Sequence, residues 1–431
     1  MLSYSMHLNE DEKAVLEGKK GETLQKALES VVRYGDIFEA KDLVPIDHAV
    51  HLVTSFGIPL LHPVFDMMDE LIEGGLKTDR PFTVDPRPLD YENVPAGLFE
   101  KFVFSKIMYA KQKDYEAQLK KVGLKDSNAF TCACYFDEVG NTPKKGDVLA
   151  WAESSAVVYA NSVLGARTNR NSGVLELLCG ITGKAPRFGF LTDEGRQATW
   201  EILLETDELP EAQVLGSAIG MKVVEEVPYI RGLATFFPNG LDDEARDYLK
   251  DMGAAAASNG AVGLYHVEGL TPEAAEKGDT LLKSDRKEYR IDKTELQRVR
   301  DAYPVMWKKP DAKPKLCFIG CPHLSRHQIY RWLDRLEEAV IKAGRSRLTV
   351  PTVLTTAPDV EELIRKDGQA MARLNRLGVR LSSICPLMYM NNPLCAKKAV
   401  ITCSNKLRTY TTARYFTEAQ TADIAASGRI S

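Results

Sequence analysis

The 431-residue chain has no C-x-x-C pair and no C-x2-C-x2-C run. Zinc ribbons, thioredoxin-type redox motifs and bacterial ferredoxin spacings are therefore unsupported. Neither G-x-G-x-x-G nor G-x-x-x-x-G-K-[ST] occurs, which leaves a nicotinamide or nucleotide enzyme without its phosphate cradle. No apolar run approaches the roughly 18 residues of a membrane span. The first residues, MLSYSMHLNEDEK, lack the basic start and apolar stretch of a secretory leader. A cytoplasmic location is the expectation. A basic excess is missing too: 56 Lys and Arg stand against 60 Asp and Glu, a formal charge of −4. No nucleic-acid footprint is expected. Internal repeats and low-complexity tracts are also absent.

What is present is an ordinary globular composition, 44% hydrophobic and 27% charged. At about 100–200 residues per domain, the length fits two or three domains or one large interlocked unit. The eight cysteines are Cys132, Cys134, Cys179, Cys317, Cys321, Cys385, Cys395 and Cys403. In a reducing cytoplasm they are thiols, and most are expected as small buried apolar residues.

The chain divides into an N-terminal α/β region over 1–128, a central region over 129–310 and a C-terminal region over 311–431. Asn9 and Glu12 form a capping pair for a first helix. Leu24, Leu28, Val31 and Val32 predict a second, stopped at Gly35. A third carries Leu61, Val64, Phe65, Met68, Leu71 and Ile72 and ends at Gly74, its methionines read as core. The stretch 78–128 is weakly periodic, and 277–313 reads as a charged, solvated surface. The C-terminal region is clearest. Strands at 315–320 (KLCFIG), 348–355 and 379–384 alternate with helices at 325–343 and 359–377. This β-α-β-α-β order predicts parallel strands with right-handed crossovers, so the fold class is α/β.

Ligands bind beyond the carboxyl ends of strands in open parallel sheets. Cys321 follows the first of these strands and Cys385 the third, so both are expected on one sheet edge. Cys321 stands in G-C-P-H-L-S before a helix that Ser325 and Gln328 cap; a helix N-terminus favours the thiolate. His323 beside it suits a ligand, an acid or a supporting donor, or is simply a capped loop histidine. A third site is F-T-C-A-C-Y, with Cys132 and Cys134. A helix at 151–164 then places Glu153, Ser154, Val157, Val158 and Asn161 within one arc. After it come Arg167, Thr168, Asn169, Arg170, Asn171 and Ser172. Two guanidiniums among hydroxyl and amide donors beside a helix start suit a carboxylate or phosphate. The bland alternatives are buried thiols at strand ends and a well-capped surface loop.

At these residues the chain resembles the aconitase X family. The resemblance is carried by Thr131-Cys132-Ala133-Cys134-Tyr135, Gly140-Asn141-Thr142-Pro143, the block 151–170, Gly320-Cys321-Pro322-His323 with Ser325, and Cys385-Pro386. The segment Leu264-Tyr265-His266-Val267-Glu268-Gly269 with Thr271-Pro272-Glu273-Ala274 also matches. The resemblance implies an aconitase-like fold of interlocked α/β domains with parallel sheets around a cluster site. It implies an iron–sulfur cluster, 4Fe-4S or 2Fe-2S, on Cys132, Cys321 and Cys385, with Cys134 not counted as a ligand. His323, Ser154 and Ser155 are then the catalytic expectations, and Asn161, Arg167, Thr168, Asn169, Arg170 and His48 the substrate contacts. His51 is a further possible contact.

The implied activity is hydro-lyase chemistry on a small hydroxylated anion. A hydroxy-carboxylate such as cis-3-hydroxy-L-proline comes first and phosphomevalonate second. A non-catalytic iron–sulfur or metal-binding protein is the remaining alternative. Aconitase-like enzymes have a small swivelling domain that supplies a catalytic serine. No domain-sized stretch follows 403–416, so this catalytic unit lacks that domain, and the resemblance implies a separate small subunit and a heterodimer. The chain departs from the family pattern near 45–57, 81–90 and 389–393, regions expected to shape the substrate pocket.

Overall fold

The core of the C-terminal region is the strand Leu316–Leu324, buried at all nine positions. Such a run belongs in a parallel sheet covered on both faces. In the computed structural model, which describes residues 4–54 and 57–430, it is the centre of a five-stranded sheet. The order is Val379–Ser382, Thr352–Thr356, Leu316–Leu324, Val400–Thr402, Arg414–Tyr415. Every pairing is parallel.

The helix Arg326–Lys342 buries Ile329, Trp332, Leu333, Leu336 and Val340 and opens on the Ser325–Gln328 capping box. The helical stretch read at 359–377 is two helices, Pro358–Lys366 and Gly368–Leu377. Asp367 ends the first, and its side chain accepts from the backbone of Gln369 and Ala370 to start the second. The strand read from 348 begins only at Thr352, because the Thr349 and Val350 amides bond Ala425 instead.

A second sheet, also parallel, runs His266–Val267, Pro228–Arg231, Ala198–Glu205, Leu282–Asp292. The outer strand Leu282–Asp292 lies in the stretch read as a charged, solvated surface, and most of its residues are exposed or half-buried. Its charges are those of an edge strand. Arg286 reaches Glu201 at 2.7 Å and Lys287 reaches Glu226 at 2.7 Å.

In the N-terminal region the helices Glu10–Leu16, Glu22–Ile37 and His62–Glu73 stand where the periodicity put them. Gly35 does not stop the second. It lies buried within it, where a Cβ would collide with Met6 and Pro186. The weakly periodic stretch holds further helices, Leu98–Val103 and Gln112–Val122. The strand Leu43–Pro45 pairs antiparallel with Lys184–Pro186, which interlocks the first region with the start of the second.

The helix read at 151–164 is a six-residue α-helix, Ser154–Tyr159, followed by one π turn, Ala160–Leu164. Gly165 closes it at φ 71°. Such π turns are rare and frequently sit at functional sites. Among the described residues no helix is long and apolar enough to cross a membrane.

Candidate active site

Three segments far apart in the chain meet at the carboxyl end of the five-stranded sheet. Cys321 lies late in the central strand, with Gly320 before it at φ 110°. A Cβ at Gly320 would run into the Thr355 carbonyl, so the strand passes its neighbour there only as glycine. Cys385 precedes the short helix Pro386–Met390. Cys132 arrives from the central region, and the stretch 83–87 joins the last two. The Thr131 amide donates to Val84 O at 2.8 Å and the Cys385 amide to Arg87 O at 2.9 Å. Cys132, Cys321 and Cys385 line one cavity of about 510 Å³ with Asp85, Arg170 and Lys406. That is an ordinary size for a small-molecule site. Cys134 does not line it.

All eight cysteines are free thiols. The expected lowering of the Cys321 pKa is not found. Burial raises it, and burial likewise raises Cys132 and Cys385. The capped helix begins at Arg326, too far along the chain to act on Cys321. In such surroundings bare thiolates are costly, and a bound cation in place of the thiol protons relieves that cost. Among the described residues no three His, Cys, Asp or Glu side chains gather tightly enough for a single metal ion. An iron–sulfur cluster takes its thiolates on different irons, so it needs cysteines around a wall, and this donor set fits one.

Behind the cysteines the Lys406 ammonium bonds Glu153 and lies 3.2 Å from Ser155 Oγ. Burial opposes the Glu153 charge. Lys406, the Ser155 hydroxyl at 2.6 Å and the Ala156 amide at 2.7 Å nevertheless hold its pKa at about 2. Ser155 is consumed in this pair, while Ser154 lines the cavity with its hydroxyl 3.4 Å from Glu153.

His323 lines the cavity, yet both its ring nitrogens are engaged. Nε2 lies 3.1 Å from Ile384 O and Nδ1 2.9 Å from Thr131 Oγ1. Burial holds it neutral, with a pKa of about 4. Both contacts hold the ring in place.

The donor loop divides. Arg170 lines the cavity, is exposed, and has no hydrogen bond or ion pair among the described residues; Asn171 lines it as well and accepts from Tyr34 at 2.9 Å. The other expected contacts spend their groups on the scaffold. Arg167 pairs with Asp193 at 2.5 Å. Asn161 clasps the Thr168 backbone, accepting from its amide at 2.9 Å and donating to its carbonyl at 2.8 Å. The Thr168 hydroxyl donates to Asn169 O at 3.0 Å, and Asn169 caps the Phe190 amide at 2.8 Å. His48 bonds Asn141 at 2.7 Å, outside the cavity lining.

His51 is buried. His51 Nδ1 lies 2.9 Å from the Thr83 hydroxyl, which accepts from Asn141 at 2.8 Å, and Nε2 has no hydrogen-bond partner among the described residues. That nitrogen stands 4.0 Å from Asp85 Oδ1. Burial raises the Asp85 pKa well above the usual carboxylate range. Asp85, Glu153 as an ion-pair partner, and Lys406 were not singled out from the sequence. The one available signal for Asp85 was the departure from the family pattern over 81–90.

Three family models cover the chain: Aconitase X first domain over residues 5–194, second domain over 198–301 and third domain over 314–426. The chain belongs to the aconitase X family. This aconitase X chain is 31% identical over 360 residues to the phosphomevalonate dehydratase large subunit of Thermococcus kodakarensis, covering 83% of each. It is 29% identical to the cis-3-hydroxy-L-proline dehydratase of Pseudomonas aeruginosa, covering 89% of this chain and 62% of that protein. The crystal structure of Thermococcus kodakaraensis aconitase X in its holo-form superposes with a TM-score of 0.79. The identity is 27%, with 97% of this chain and 100% of that chain covered. The α/β fold read from the sequence agrees with that likeness, and the reading as a hydro-lyase agrees with relatives named dehydratases.

Proposed function

We propose that this aconitase X chain is the large subunit of an iron–sulfur-dependent dehydratase of the cytoplasm. The observation that carries the reading is one cavity lined by Cys132, Cys321 and Cys385, with Lys406 beside them and a free Arg170. When bound, the cluster would supply a Lewis acid at an iron without a protein thiolate, because hydroxide is a poor leaving group. Either 4Fe-4S or 2Fe-2S satisfies this donor set.

The chain's own residues do the rest. Arg170 receives the substrate carboxylate through its planar fork. Burial disfavours a charge on Asp85, and a substrate ammonium beside it would relieve that cost. Ser154 offers a hydroxyl for alignment. Removing the proton next to the leaving hydroxyl needs a base, which we assign to a serine of a separate small subunit. The five relatives named large subunits support that partner, as does the extra length of the single-chain relative.

A guanidinium and a carboxyl without partners among the described residues, Arg170 and Asp85, line the same cavity and suit a zwitterionic hydroxy-amino acid, so cis-3-hydroxy-L-proline is the substrate we favour. Phosphomevalonate is the second reading, favoured by the likeness to phosphomevalonate dehydratases. The test is anaerobic co-expression with the neighbouring small open reading frame and a screen of both substrates. Cys321→Ser and Cys385→Ser are expected to lose cluster absorbance and activity together. A full iron complement in both variants refutes the ligand assignment.

A further inference from the structure

We propose that the His323 imidazole fixes the spacing of the three cysteine segments, as a positioning residue. The proposal rests on the reading of Cys132, Cys321 and Cys385 as cluster ligands.

His323 shares the central strand with Cys321, two positions on. Its Nε2 lies 3.1 Å from the carbonyl of Ile384, the neighbour of Cys385. A carbonyl only accepts, so Nε2 carries the hydrogen, and Nδ1 is left as an acceptor. The Thr131 hydroxyl, beside Cys132, accepts from the Ala133 amide at 3.0 Å and donates to Nδ1 at 2.9 Å. The His323 amide points at Cys132 Sγ over 3.4 Å. The His323 carbonyl is held in turn by Lys250 Nζ at 2.8 Å.

One ring thus bonds segments 192 and 61 residues away along the chain. It has no exposed surface, so no water substitutes for a lost partner. A buried partner left orphaned costs more than the net gain of the bond it loses. The two bonds point in different directions from a rigid ring, so together they set a distance. A space-filling side chain would not.

The test uses the full chain, reconstituted anaerobically with ferrous iron and sulfide, in four forms: unmodified, Thr131→Val, His323→Gln and His323→Leu. Iron and labile sulfide per chain, the EPR spectrum of the reduced cluster and the rate of iron loss to a chelator are measured. Circular dichroism and thermal unfolding report the fold. Thr131→Val removes the bond to Nδ1 together with the one that the Thr131 hydroxyl accepts from the Ala133 amide, and leaves the imidazole in place. It is expected to fold, shift the EPR spectrum and lose iron about tenfold faster, as changes to groups supporting metal ligands do. His323→Leu is expected to hold less than half the iron of the unmodified chain. His323→Gln, which keeps a donor for Ile384, falls between them.

Unaltered iron content, spectrum and chelation rate in Thr131→Val and His323→Leu overturn the proposal. So does a lowered melting temperature with no spectral change, which marks packing alone. If His323→Leu fails to fold, Thr131→Val decides. An unmodified chain that takes up no iron removes the ligand reading itself, and this inference with it.

Discussion

Lys406 and Glu153 form a buried ion pair in the wall of the cysteine-lined cavity, the two side chains 10% and 5% exposed. They come from the central and C-terminal regions, 253 residues apart. Taking both charges out of water is costly, and removing one partner leaves the other uncompensated. Lys406→Met is therefore expected to cost about 3–5 kcal/mol of unfolding free energy. The double variant Lys406→Met, Glu153→Gln should recover most of it. Urea denaturation of the single and double variants checks this; equal losses in both would mean that the charge pairing is not what matters.

The two arginines of the donor loop should separate cleanly. Arg170 faces the cavity without a partner among the described residues, whereas Arg167 pairs with the exposed Asp193. Losing a charged hydrogen bond of about 1.5–3 kcal/mol raises KM by roughly 10–100-fold, so Arg170→Ala should show that rise with iron content unchanged. Arg167→Ala should leave KM near its native value, because an exposed pair contributes about 1 kcal/mol or less. Steady-state kinetics on both variants decide. A larger KM effect at Arg167 would reverse the assignment.

Six consecutive donors were legible in the sequence, but whether a donor faces a ligand or its own backbone depends on the turn. Here Thr168 and Asn169 satisfy neighbouring backbone groups, and Asn161 reaches back from the π turn. Side chains of this kind often bond the local backbone in place of a partner. The central strand was legible from the apolar run 315–320, but it continues through Cys321, Pro322 and His323 to Leu324, which the polar and proline residues had marked as a loop. The edge strand Leu282–Asp292 was not, since its charges hide any alternation. Lys406 and Asp85 carry no local pattern. Their meaning comes from partners brought by other segments: Glu153 for one, and for the other the backbone bonds that tie 83–87 to both outer cysteine segments.

Acid should destabilise the protein through its buried histidines. His266 is 1% exposed and donates from Nε2 to Arg196 O at 2.8 Å. Burial lowers its pKa from 6.5 to about 4. The folded form therefore stays neutral while the unfolded chain takes up a proton. Stability is full above pH 6.5 and is lost as pH falls toward 4. The loss approaches about 3 kcal/mol at its end. His266→Gln, which keeps a donor, should flatten the pH dependence of stability over that window by a similar amount. An unchanged slope in chemical denaturation from pH 7 to about 4 would contradict a buried neutral His266.

Asp85 separates the two substrate readings. Its Oδ1 is buried with no hydrogen-bond partner among the described residues, and His51 Nε2 stands 4.0 Å away. An asparagine keeps the shape and removes the ability to become charged. Asp85→Asn should therefore leave stability unchanged or slightly raised, since an ionised carboxylate there is costly. If the cavity takes an amino acid, the variant loses an ion pair to the substrate ammonium. Its kcat/KM for cis-3-hydroxy-L-proline should then fall by about 10–100-fold, the equivalent of a charged hydrogen bond. If the substrate is phosphomevalonate, which has no ammonium, removing a carboxylate from the site should leave kcat/KM unchanged or improve it. Steady-state kinetics of the co-expressed enzyme on both substrates give opposite answers for the two cases, and a variant indifferent to the first substrate would rule out Asp85 as the group that recognises an ammonium.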